Sequence, residues 1–325
     1  MTTFGLDLGG TKCAVVRAGR SGAPEARLTC LTAGPVETLA RLEKMIAQLQ
    51  PGRAPRFGIA CGGPLDSQAG LILSPPNLPG WDRVPIVKWV EQRFGGRAFL
   101  MNDANAGALA EWFYGAGRGL RNLVFCTCGT GFGAGLICDG RLYEGANGNA
   151  GEIGHVRLTD DGPVGHGKAG SVEGWCSGGG LARLLADLRR QGNEAAPPAR
   201  DARELCAAAA SGDRRAVELL ARAGRRLGRA LAVLVDVLNP EAIILGSLYV
   251  RARRFLEKPM REELKREAFP EALAACRILP AALGDRIGDY AALAAAEYGR
   301  GGPVPRRPEA RRPKQGGRAS RRRER

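Results

Sequence analysis

Apolar and polar positions alternate from the start of the chain, predicting strands over residues 3–8 and 12–18 with Gly9-Gly10-Thr11 between them. Residues 36–49 then carry apolar side chains at 36, 39, 42, 46 and 49, the spacing of an amphipathic helix. Residues 57–61 read as a short buried strand that runs into Gly62-Gly63-Pro64. A helix near 86–94 and a strand near 98–101 follow, and Asn102-Asp103 then opens a helix over 104–114. The segment 120–140 repeats the opening pattern: an apolar strand, a Gly/Thr turn, a second apolar strand. Residues 145–180 are Gly-rich and lack periodicity, and a stretch of that length suggests function more than filler. The longest predicted helix covers about 213–238, with Asp213 as N-cap and Leu220, Leu227, Leu231 and Leu238 on one face. A strand over 242–245, a turn at Gly246-Ser247 and helices near 250–267 and 289–298 complete the chain. Strands that alternate with helices predict an α/β fold. The duplicated strand–glycine turn–strand unit predicts two related lobes, with a cleft where a nucleotide and a second substrate would meet.

Composition narrows the class. Apolar residues make up 44% of the 325 and charged ones 25%, the balance of a soluble globular protein. No basic-then-apolar segment opens the chain, so no secretory signal is expected. The longest apolar run, 230–238, is interrupted by Asp236 and is too short to span a bilayer. Nine cysteines are scattered, with only Cys126 and Cys128 close together. At period 2 inside a predicted strand, packing explains that pair better than metal or disulfide chemistry, and a reducing cytoplasm is the expected compartment. Residues 300–325 hold eleven basic residues against two acidic ones, a net +9 of the chain's +15. With four prolines and four glycines as well, this basic tail is expected to be disordered. Two readings of it stand: a solvated extension, or an arm that contacts nucleic acid or an acidic partner.

The two glycine turns carry the chemistry. Glycine lets backbone N–H groups approach phosphate oxygens, and the threonine hydroxyls add donors, so two facing hairpins would clamp a triphosphate. That arrangement points to a kinase. The run Gly129–Gly135 is not a dinucleotide fingerprint, because a strand follows it in place of the required helix. Nor is residues 162–169 a Walker A loop, since the final Ser/Thr and the framing strand and helix are missing. Asp7 is either a turn residue accepting backbone hydrogen bonds or a carboxylate holding Mg²⁺ through water; the second hairpin favours the latter. Asp103 could cap its helix, and a kinase also needs a carboxylate there to accept a proton from the attacking hydroxyl. Glu152-x-x-His155 and Glu173, inside the Gly-rich stretch, suit a polyol, whose hydroxyls are read by carboxylates and imidazole nitrogens.

Six segments taken together resemble the ROK family of bacterial sugar kinases and sugar-responsive repressors. They are Asp7-Leu8-Gly9-Gly10-Thr11-Lys12, Gly58-Ile59-Ala60-Cys61-Gly62-Gly63-Pro64, Pro76-Asn77-Leu78-Pro79-Gly80-Trp81, Asn102-Asp103-Ala104-Asn105-Ala106, Gly129-Thr130-Gly131-Phe132-Gly133-Ala134-Gly135 and Gly151-Glu152-Ile153-Gly154-His155. The resemblance implies a two-lobed actin-like, ribonuclease-H-like ATPase fold with a nucleotide–sugar cleft, assembled as a homo-oligomer. Lobe limits of 1–116, rejoined by the C-terminal helix 287–299, and 117–286 are expected, with 300–325 as the tail. ATP- and Mg²⁺-dependent phosphorylation of a hexose is implied, most like a glucokinase acting at the 6-hydroxyl. Asp103 would be the general base, and Asn102, Glu152, His155 and Glu173 would bind sugar hydroxyls. Asp7, Gly9, Gly10, Thr11, Lys12, Gly129, Thr130 and Gly131 would surround the phosphates, with Gly246 on the adenosine side. There the family commonly has a second glycine where this chain has Ser247.

The family's zinc motif joins its histidine to three cysteines, whose positions here hold Val164, His166 and Ser171. His155 and His166 alone do not close a tetrahedral site, so zinc is not expected. Six residues precede Asp7, so the repressor branch's DNA-binding domain is not expected either. The competing function is a catalytically silent sugar- or nucleotide-binding regulator whose basic tail engages a partner.

Overall fold

The computed structural model describes residues 2–299. Strands β1 (Thr3–Leu8), β2 (Lys12–Ala18), β3 (Pro24–Leu31), β4 (Arg56–Cys61) and β7 (Arg97–Asn102) form one sheet in the order β3-β2-β1-β4-β7. The intervening β5 (Leu65–Asp66) and β6 (Leu71–Ile72) make a separate two-stranded ladder. A second sheet has the order β10-β9-β8-β13-β14, from β8 (Leu123–Cys128), β9 (Phe132–Cys138), β10 (Arg141–Tyr143), β13 (Ala242–Leu245) and β14 (Arg277–Pro280). Between them in sequence, β11 (Val164–Gly165) and β12 (Lys168–Ala169) form a small hairpin.

The two large sheets share one plan. In each, the first strand pairs antiparallel with the second, the second antiparallel with the third, and the fourth and fifth run parallel to the first. The repeat legible in the two glycine hairpins therefore extends to whole sheets.

Helices α1 (Pro35–Gln48) and α2 (Ile86–Phe94) share the core of the first sheet. On the other sheet lie α4 (Val172–Cys176), α5 (Gly178–Arg190), α6 (Ala202–Ala210), α7 (Arg214–Leu238), α8 (Leu248–Glu267) and α9 (Pro270–Ala275). Asp213 caps α7 as its sequence predicts, accepting from Ala216 N at 2.9 Å.

Helices α3 (Asp103–Tyr114) and α10 (Ile287–Tyr298) fill the space between the sheets and pack on each other. Each is nearly all buried and alanine-rich, a composition that allows close approach. Each also crosses over: α3, which ends the first unit, lies on β8 and β9, and α10, which ends the second, lies on β1 and β4. Glycines make this possible. A Cβ at Gly58 of β4 would come 1.9 Å from the Ala292 carbonyl oxygen, and one at Gly135 of β9 would come 2.4 Å from that of Ala104. The expected tail lies outside the described residues. No described helix is long and apolar enough to cross a membrane.

Candidate active site

The first hairpin turn joins β1 and β2, whose register pairs Asp7 with Ala14 and Leu8 with Cys13. Its carbonyl groups are tied back into the protein. Thr32 Oγ1 donates to Gly9 O at 2.6 Å, and Thr32 N donates to Thr11 O at 3.0 Å. Gly10, Thr11 and Lys12 remain exposed. A Cβ at Gly10 would lie 2.5 Å from the Asn77 carbonyl oxygen, so only glycine lets segment 76–81 close over the turn.

The second turn, between β8 and β9, is built the same way. Gly178 N donates to Gly129 O at 2.7 Å and Gly179 N to Thr130 O at 3.1 Å. With these acceptors engaged, the turns have N–H and hydroxyl donors to offer, which is what an anion needs. Gly246 N donates to Cys126 O at 3.0 Å, and the Ser247 hydroxyl lies beside Gly129. Ser247 has φ 41°, the left-handed region that glycine prefers and a physical reason for the family's usual residue there. Next to this turn is a recess of about 180 Å³, walled by Phe125, Val250, Ala281 and Ile287.

Asp103 is the first residue of α3, and the capping bond belongs to its neighbour: Asn102 Oδ1 accepts from Ala104 N at 2.9 Å. The capping role considered for Asp103 is thus taken by Asn102. Asp103 itself is reached by solvent but surrounded by dense protein. Desolvation, followed by the charge of Glu152, raises its pKa above the ordinary carboxylate value. Asp7 is pushed up to about 6, chiefly by burial, then by Asp289 and Asp103, while Arg27 opposes the shift. Asp289 is buried and accepts from Arg27 Nε at 2.8 Å. Gly288 rests against the Asp7 carboxylate: a Cβ there would fall 2.2 Å from Oδ2.

This crowding of negative charge fits a hard divalent cation. Among the described residues no three His, Cys, Asp or Glu form a metal cage. Mg²⁺ commonly takes one or two carboxylates, keeps several waters and completes its shell with substrate phosphates, and Asp7 offers that kind of partial site.

Glu152 is exposed just ahead of a single 3₁₀ turn, Ile153–His155. The His155 ring stacks on His166, with centroids 4.5 Å apart, and Lys168 Nζ donates to His155 O at 2.8 Å. His166 Nε2 lies 3.0 Å from the carboxylate of buried Glu173. Glu173 also accepts from Phe132 N at 3.2 Å and Arg183 Nη2 at 3.4 Å, tying this loop to the second hairpin. Where the family has cysteines, Ser171 now caps α4, accepting from Gly174 N at 3.1 Å. Trp175 anchors the loop from beneath: it is buried, and its indole donates to Thr159 Oγ1 at 2.9 Å.

Through-space charge links Asp7 to Asp103 and Asp103 to Glu152. Sequence reading names Asn77 only as part of a family segment and misses Arg27 and Asp289 as members of this neighbourhood. Asn77 stands beside Gly10 and Gly62, with Asn102 beside Gly63; the Pro-Asn-Leu-Pro-Gly-Trp segment was its signal. Arg27 and Asp289 lie 262 positions apart and carry no signal that would join them.

Two sheets of matching order, bridged by exchanged helices and each ending a glycine hairpin at the site, define the two-lobed actin-like ATPase fold. The chain belongs to the ROK family, whose model matches residues 3–297. A glucokinase of Thermotoga maritima is 32% identical over 297 residues, covering 88% of this chain and 94% of that protein. An N-acetylmannosamine kinase of Escherichia coli O9:H4 is 34% identical over 260 residues, covering 79% and 86%. Among solved structures, a ROK family glucokinase from Streptomyces griseus in complex with glucose and AMPPNP superposes with a TM-score of 0.75 at 29% identity, covering 93% of this chain and all of that one.

Proposed function

We propose that the protein is an ATP- and Mg²⁺-dependent hexose kinase, acting on glucose at the 6-hydroxyl. The observation that carries this reading is Asp103: a carboxylate at the start of α3 whose pKa burial raises against the opposing backbone hydrogen bond of Ala104, within electrostatic reach of Asp7 of one phosphate hairpin and Glu152 of the sugar loop. A raised pKa makes the ionised carboxylate a better proton acceptor.

In this reading the donors of Gly10, Thr11, Lys12, Gly129, Thr130 and Gly131 cradle the phosphates, and the recess beside Gly246 takes the adenosine. Asn102, Glu152, His155 and Glu173 hold the sugar hydroxyls. Because Asn102 Oδ1 is spent on the helix cap, its amide nitrogen is the group left for the sugar. Glu173 is already engaged by Phe132 N and Arg183, so it orients the loop as much as it binds. The sugar O6 attacks the γ-phosphorus; the O6–P bond forms, the bond to the β-phosphate oxygen breaks, and the hydroxyl proton passes to Asp103. Mg²⁺ bound beside Asp7 would neutralise phosphate charge as it shifts to the leaving ADP.

Glucokinases among the relatives support glucose, and the N-acetylmannosamine kinase makes hexosamines the natural competitors. The test is sugar-dependent ADP release with Mg²⁺ across glucose, mannose, allose, fructose, N-acetylglucosamine and N-acetylmannosamine. The expected result is turnover with the highest kcat/KM for glucose. Saturable sugar binding with no ADP release for any sugar would replace this reading with the silent regulator.

A further inference from the structure

Helix α7 carries Arg222, Arg225, Arg226 and Arg229 at a spacing that puts all four on one stripe. Arg266 of α8 faces them, and with Glu263 these side chains line a recess of about 280 Å³. Three carboxylates balance part of the charge. Glu218 accepts from Arg225 at 2.7 Å, Glu263 from Arg229 and Arg266, and Glu267 from Arg266 at 2.9 Å.

Arg222 and Arg226 are treated differently. Their guanidinium carbons sit 4.5 and 5.3 Å from the ring centroid of Trp175, a cation–π arrangement. Arg226 Nε is closed to solvent and donates to nothing among the described residues. Arg226 as a whole is half-buried, and an N–H left without an acceptor there is a cost to the fold. Burial and the neighbouring Arg229, Arg222 and Arg225 all disfavour its charge.

We propose that this recess is an anion site for a small phosphate-bearing ligand, separate from the nucleotide cleft. Guanidinium forks match phosphate oxygens in pairs, and several of them converging favour a multiply charged ligand. The volume lies near the lower end of small-molecule pockets, which suits pyrophosphate or a sugar phosphate. The ligand is met by the terminal guanidinium nitrogens of the arginines that line the recess, with Arg222 and Arg226 braced on Trp175. Trp175, on which Arg222 and Arg226 stack, is two residues from Glu173 on α4, so the site sits directly behind the sugar loop.

Calorimetric titration of the full chain with inorganic phosphate, pyrophosphate and glucose 6-phosphate tests the proposal. Binding stronger for pyrophosphate identifies an inorganic ligand; binding stronger for the sugar ester identifies a metabolite. In either case Arg226→Gln is expected to weaken it about tenfold or more, while Thr130→Val, in the phosphate hairpin, leaves it intact. Should Arg226→Gln fail to fold, Arg266→Gln on the exposed rim is expected to weaken binding several-fold, and a rise in salt is expected to weaken it further. Absence of binding in the native chain, or binding lost in Thr130→Val and kept in the arginine variants, overturns the proposal.

Discussion

Burial, then Asp289 and Asp103, push the Asp7 carboxyl up to about 6, with Arg27 opposing the shift. The sign follows directly. Between pH 3.8 and about 6 the folded protein holds a proton that the unfolded chain has released, so ionising Asp7 costs the fold stability as pH rises through that window. Catalysis in the proposed scheme needs the ionised form. We therefore expect kcat/KM to fall as pH drops through about 6, and this limb to move to lower pH when Mg²⁺ is raised, since cation and proton compete for one carboxylate. Initial rates from pH 5 to 8 at two Mg²⁺ concentrations check this; a limb indifferent to Mg²⁺ would remove Asp7 from the metal's surroundings. At this scale the sequence was informative where residues sit in contiguous motifs. Asp7, Asp103 and Glu152 could be named because each adjoins a glycine turn or a helix start. Arg27 could not, because its partner Asp289 reaches it only after the whole chain has folded.

The elements show a similar division. Helix α7 was legible because its cap and its apolar face lie in one continuous stretch. Strand β3 was not: its burial alternates between half-buried and exposed, so no buried stripe announces it. Helix α5 begins with three glycines, which read as loop. They are there because a Cβ at Gly179 would meet Thr130 O at 2.4 Å and one at Gly180 would meet Gly174 O at 2.2 Å. Glu111 was also missed. It is fully buried in α3, and its carboxylate accepts from Ala116 N at 2.8 Å, Ala282 N at 3.2 Å and Leu283 N at 3.0 Å. One side chain thus fastens the end of α3 to the segment that leads into α10. Glu111→Ala would leave three N–H groups unpaired, and we expect a loss of about 3 kcal/mol or more, read from the shift in urea midpoint. A loss below about 1 kcal/mol would show that water replaces these bonds.

The whole molecule is a duplicated sheet unit whose closing helices have been exchanged, so that α3 rests on the second sheet and α10 on the first. The duplication is visible in the two hairpins, and the family resemblance implies the return of the last helix to the first lobe; the placement of α3 on the second sheet is not visible, because it depends on which strand glycines face which helix. We propose lobe limits of 1–116 with 287–299, and 117–286, which put the return of α10 with the sheet it covers. The exchange brings the start of α3, with Asp103, and the start of α10, with Gly288 against Asp7, to the same neighbourhood between the hairpins. In the proposed scheme Asp103 takes the proton there. Turnover and sugar affinity of Asp103→Asn, measured beside the native chain with ATP, Mg²⁺ and glucose, test it most directly. We predict kcat lower by about 10²–10⁴-fold, with the sugar dissociation constant nearly unchanged and the melting temperature held or raised. Turnover within a few-fold of native would contradict the assignment.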